Sequence, residues 1–72
     1  MPAMNNQHST QLERLIDSIG LPAVLRLLGE VCYEKSEHVA TNWQDKALAE
    51  CWSSAGDAVH KLADSRHIKA LP

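Results

Sequence analysis

From Leu21 to Ala63 the sequence carries two helix-length apolar stripes joined by Ala40-Thr41-Asn42-Trp43-Gln44-Asp45. On both sides of that joint, apolar residues return at three- and four-residue spacing, the period of one helix face. Two such stripes around a short joint predict an antiparallel helical hairpin. Nothing alternates with period two over a strand's length, so the fold class is all-α. The stripes use most of the large apolar side chains and leave few residues for chemistry.

A short N-terminal helix is expected to complete a three-helix arrangement. Residues 1–8 are polar and unpatterned and read as a flexible, disordered tail, with residues 9–72 forming one small domain. Ser9 is the expected cap of a helix over 9–19 whose buried face is Leu12, Leu15, Ile16 and Ile19. Gly20 should end it, since glycine readily takes the left-handed conformation that closes a helix. Pro22 then suits the first turn of the next helix, where a missing N–H loses no partner.

The second helix is expected over 22–41, with Val24, Leu25, Leu28, Cys32 and Val39 on its core side and Val31 at the edge. Glu30, Glu34 and Glu37 fall opposite in an acidic stripe, read first as a solvated back face. Leu27, Val31 and His38 form a flank between the two. Apolar surface beyond one stripe predicts two neighbours, the first helix and a second chain. At the joint, Thr41 with Gln44 and Asn42 with Asp45 both have capping-box spacing. The absence of Gly and Pro between Glu30 and Ala55 leaves a continuous helix open, but a break at 41–43 spares both stripes from exposure. The third helix, 43–66, has the stripe Leu48, Cys51, Trp52, Ala55, Val59 and Leu62. Ala55 and Gly56 permit close approach of another backbone.

Seventy-two residues make a single small domain whose core supplies only a few kcal/mol of net stability. With no Phe and much Ala, that core is thin, which favours a homodimer. Seven Lys and Arg against nine Asp and Glu give a net charge of −2. A duplex-binding protein normally carries a basic excess, so nucleic acid is disfavoured as a partner. Lys61, Arg66 and Lys69 near the end read as a solvated helix terminus. No apolar run reaches the ~18 residues of a membrane span. The start has neither a basic nor an apolar region, so no secretory signal is read. Two cysteines without a signal read as reduced thiols, placing the chain in the cytoplasm of the producing or infected cell.

Cys32, Glu34, His38 and Cys51, with Glu37 nearby, are the only residues worth testing as metal ligands. The helical wheel sends Cys32 to the core and Glu34 away from it, so no metal site and no cofactor is expected. Both cysteines read as buried small hydrophobes. No Glu-x-x-His, Cys-x-x-Cys, Gly-x-Ser-x-Gly or glycine-rich phosphate loop occurs, and a Cys–His pair would lack a pocket and an oxyanion donor. The expectation is a protein that is not an enzyme, with no catalytic residue. Trp52 reads as core. Trp43 sits at the joint, either capping it or standing out as a binding anchor. The candidate interface is therefore Leu27, Val31, His38 and Trp43 with Glu30, Glu34 and Glu37.

The run Cys32-Tyr33-Glu34-Lys35-Ser36-Glu37-His38, followed by Asn42-Trp43-Gln44-Asp45 and Leu48-Ala49, resembles a group of small helical proteins of bacteria and their phages. The likeness covers about residues 21–63. That group has no assigned activity, so the resemblance implies a helical, non-enzymatic protein of bacterial or phage origin and carries over no site residue. The expected function is a homodimeric interaction module that binds a protein partner. Two alternatives stand beside it: a phage-encoded inhibitor of a host defence or nucleic-acid enzyme, and a thiol- or metal-dependent sensor using Cys32 and Cys51.

Overall fold

The computed structural model describes residues 6–71, and among them only helices and short connections occur. In chain order these are α1 (Asn6–Ile19), α2 (Leu21–His38), a π-helical continuation over Val39–Trp43, α3 (Lys46–Ala63) and α4 (Arg66–Lys69). Of the tail expected over 1–8, residues 1–5 lie outside the described residues. Asn6, Gln7 and His8 already belong to α1, so Ser9 stands inside the helix and is not its cap. Polar residues of moderate helix propensity can extend a first turn without any apolar signal.

Gly20 makes the first corner as expected. Its φ of 90° lies in the region open to glycine, and its N–H donates to the Ile16 carbonyl at 2.7 Å, closing α1. Pro22 falls in the first turn of α2. The second corner sits later than the sequence suggested. The chain continues past Thr41 as a π-helix, and the turn is made by Gln44, left-handed at φ 53°, and Asp45. Asp45 is itself the N-cap of α3, accepting from the Leu48 N–H at 3.0 Å, and not the closing residue of a box opened by Asn42. The third helix also ends early. It stops at Ala63, and extended Ser65 precedes the single turn of α4, so four helices replace the expected three.

α2 and α3 pack against each other and run in opposite directions. Near the turn the Ser36 hydroxyl donates to the Ala49 carbonyl at 2.6 Å, and at the far end Arg26 pairs with Asp64 at 3.4 Å. The seam is made of small residues. Gly29, Cys32 and Val39 are buried from one side and Ala49, Gly56 and Ala63 from the other. Leu25 and Ser36, and Trp52 and Val59, fill the intervening positions half-buried. The resulting alternation of three- and four-residue steps is that of an antiparallel knobs-into-holes contact.

Two glycines set its closeness. A Cβ on Gly56 would stand 3.1 Å from the Gly29 carbonyl oxygen and 2.7 Å from Tyr33 Cε1. A Cβ on Gly29 would enter the His60 imidazole. This contact keeps most of the expected α2 face, Val24, Cys32 and Val39, buried and turns the bulkier members of the stripes outward. Leu28, assigned to the core of α2, is 46% exposed, and Leu48, Cys51 and Leu62 of α3 are exposed too. Close approach needs small side chains at the crossing, so bulky neighbours are displaced around each helix. Of the expected buried face of α1, Leu12, Leu15 and Ile19 are exposed and Ile16 is half-buried. α1 approaches α2 and no other helix. The radius of gyration is 14.3 Å, against about 11 Å for a compact chain of this length.

Candidate interaction surface

Each residue turns about 100° around a helix axis, so Leu28 lies about 100° from the seam residue Gly29. On α3, Trp52, Val59, Leu48, Ala55 and Leu62 lie roughly 40–120° from Gly56 in the same rotational sense. In an antiparallel pair, the same sense on both helices leads to the same face. Leu28 therefore shares one apolar face with Leu48, Trp52, Ala55, Val59 and Leu62, whereas Val31, about 160° from the seam, lies on the outer side of α2. The opposite face is polar and carries the bonded groups, Arg26 with Asp64 and Tyr33 with Asp57. Ser36, Lys46, Glu50 and Ser53 border a shallow groove there.

The residues singled out in the sequence are all at the surface. Leu27 is 52% exposed and Trp43, in the π-helical segment, is 66% exposed; Val31 is also open. Glu30, Glu34 and Glu37 are exposed along α2. His38 is exposed, with its Nδ1 2.9 Å from the Asn42 amide nitrogen. Glu34, Glu37 and His38 come together with Thr41 and Asn42 around a shallow groove of about 310 Å³. Val31 meets Glu34, Lys35 and His38 around a second one of about 330 Å³. Leu27, Glu30 and Trp43 line neither groove. Trp52 is half-buried, between the core role expected of it and the surface.

Cys32 is buried, whereas Cys51 is exposed and so departs from the buried packing expected of it. Cys51 lies well around α3 from the seam. Among the described residues, no three His, Cys, Asp or Glu side chains stand together in a way that could hold a metal ion. No described helix is long and apolar enough to cross a membrane.

The sequence reading missed the polar cluster around the crossing. The Tyr33 hydroxyl donates to the Asp57 carboxylate. That bond, followed by desolvation and the carboxylate's charge, raises the Tyr33 pKa above its usual value. The Tyr33 ring stacks on His60 with centroids 5.5 Å apart and an interplanar angle of 26°. His60 Nε2 is buried over Gly29 without a hydrogen-bond partner. The cluster's geometry orients Tyr33 and closes the seam; the hydroxyl's proton is held by a carboxylate, with no enclosed cavity beside it. The available signal was the spacing of small residues, Ala49, Gly56 and Ala63 at seven-residue intervals with Gly29 on the facing helix.

One more concavity lies at the corner between α1 and α2. Residues 16–21 and Leu71 line a groove of about 570 Å³ there. No family model, curated protein or solved structure matches this chain.

Proposed function

We propose that this chain is a small non-enzymatic helical interaction module, built on the α2–α3 hairpin, that works as a homodimer and offers its acidic stripe to a protein partner. One observation carries the reading: the side chains inside are small and those outside are large. Val24, Cys32, Val39, Ala49 and Ala63 are the buried apolar residues, while Leu12, Leu15, Ile19, Leu27, Leu28, Val31, Leu48 and Leu62 are exposed. Contiguous apolar surface of this kind marks an interaction site in a folded protein.

Association through the apolar side leaves Glu30, Glu34 and Glu37 outward, roughly 80–140° around α2 from the seam on the other side. With Trp43 at the end of that stretch, they suit a partner segment that is basic and offers an apolar pocket. A cytoplasmic setting, of either a producing or an infected cell, fits two cysteines that are not joined to each other. Light scattering at tens of micromolar should give a dimer mass, and the melting temperature should rise with protein concentration, because association stabilises the folded state by mass action. A monomer mass with a concentration-independent melt would overturn the homodimer.

A further inference from the structure

We propose that α1 is an exchanged arm: in the dimer, α1 of each chain lies along the apolar face of the other chain's α2–α3 pair. The proposal rests on the homodimer reading above and specifies which surfaces meet.

The chain carries two uncovered apolar faces that match each other in kind. One is the side of α1 bearing Leu12, Leu15 and Ile19, with Leu12 52% exposed. The other is the face of the pair formed by Leu28 with Leu48 and Leu62, bordered by half-buried Trp52 and Val59. The apolar side of α1, from Leu12 to Ile19, spans about 10 Å at 1.5 Å per residue and would cover half of the roughly 21 Å from Leu48 to Leu62 along α3. A helix laid there would complete a three-helix layer on the only side of the pair that lacks polar partners.

α1 does not reach that face within its own chain, because the connection is too short. α1 ends at Ile19 and α2 begins at Leu21, so Gly20 alone joins them. Antiparallel helices packed side by side need a loop of about 2–5 residues. Gly20, at φ 90° and ψ 149°, sets a corner from which α1 approaches α2 but, among the described residues, not α3. A hinge too short for closure within one chain is the usual condition for exchange between two. A two-fold axis makes the exchange reciprocal, so each chain's α1 and each chain's pair are covered by one contact.

The test is to lengthen the hinge. Inserting Gly-Ser-Gly-Ser between Gly20 and Leu21 lets α1 fold onto its own pair. That closure is intramolecular, at an effective concentration in the mM range, and outcompetes exchange at tens of micromolar. The wild-type chain should scatter as a dimer, and the insertion variant as a monomer with undiminished helical circular dichroism. A dimer mass retained by the folded insertion variant would refute the exchanged arm while leaving the homodimer standing. A monomeric wild type would refute both.

A second measurement does not depend on how the insertion folds. In the Leu15→Cys variant, a short bismaleimide should join the new thiol to exposed Cys51 across chains. The product is a covalent dimer on a denaturing gel, and adding Cys51→Ser should abolish it. No covalent dimer beyond the wild-type level, or one that survives Cys51→Ser, would overturn the proposed contact.

Discussion

The seam between α2 and α3 makes a sharp prediction at Gly29, because a methyl group added there meets one removable side chain. The Cβ of Gly29→Ala would enter the His60 imidazole, with even the ring's Cγ 3.2 Å away. Two effects then oppose each other. Alanine within a helix is favoured over glycine by about 1 kcal/mol. Forcing a methyl group into a filled contact costs about 1–3 kcal/mol. Gly29→Ala should therefore destabilise the protein by about 1 kcal/mol, which lowers the melting temperature by about 4–8 °C for a domain of this size.

In a His60→Ala background the obstruction is gone, and the propensity gain acts alone. The same substitution should then stabilise by about 1 kcal/mol, a reversal of sign with a coupling of about 2 kcal/mol. Thermal melts of the four proteins, followed by circular dichroism at one fixed protein concentration, measure the cycle. An equal effect of Gly29→Ala in both backgrounds would refute the close crossing. Gly56→Ala provides the contrast. Its Cβ meets both the Tyr33 ring and the Gly29 carbonyl oxygen at 3.1 Å, so truncating Tyr33 should rescue it only in part.

The remaining predictions concern other parts of the molecule. Tyr33 is the sole tyrosine, so ultraviolet absorbance reports its ionisation directly. Because the bond to Asp57 raises its folded pKa, the stabilisation is present below the usual tyrosine value of about 10 and is lost as pH climbs through the raised one. Asp57→Asn should lower the titration midpoint, and an unchanged midpoint would contradict the bond. Asp45→Ala removes the cap of α3 and should cost about 0.5–2 kcal/mol in urea unfolding. Leu28→Ala should weaken the dimer by about 2–5 kcal/mol, read as dissociation at higher protein concentration. Glu34→Ala should change stability by under about half a kcal/mol, and equal losses at both sites would show that the apolar and acidic faces are misassigned. Under reducing conditions a chelator should leave the melting temperature unchanged, whereas one-to-one zinc lost in Cys32→Ser would revive the sensor reading.

What the sequence revealed follows from which residues have distinctive backbone chemistry. Gly20 and Pro22 could be placed because few residues suit a positive φ or a first helical turn. The second corner was placed early because Thr41 and Asn42 look like caps, whereas a π-helical turn and a left-handed glutamine carry no sequence mark. The seam was misphased for a different reason. Apolar periodicity weights large side chains, and the stripe Leu48, Cys51, Trp52, Ala55, Val59 and Leu62 is real. Its members Leu48, Cys51 and Leu62 are exposed, whereas the helices meet along Ala49, Gly56 and Ala63 with Trp52 and Val59 half-buried between them. Gly56 was recognised as a point of close approach, but its counterpart Gly29 was not, so the contact had only one side. The exposure of the flank residues was easier to read. Leu27, Val31 and Trp43 stand out of the core as apolar residues beside a continuous acidic stripe, and all are exposed.

A contact built on glycine and alanine fixes the geometry of a helix pair more strongly than it stabilises it. Close packing gains dispersion contacts along the seam, but apolar burial yields only about 25 cal/mol per Å², and small side chains have little area to bury. Ordering each residue costs on the order of 1–2 kcal/mol, so the large side chains must contribute for the fold to persist. In this chain they point outward on α1 and on one face of the α2–α3 pair. In the proposed dimer their burial would belong to association, making folding and assembly one equilibrium that shifts with protein concentration. Gly20 would then decide how that equilibrium is satisfied. With one residue at the corner the exchanged arm supplies the neighbour from a second chain, and with a longer loop the same two faces could meet within one.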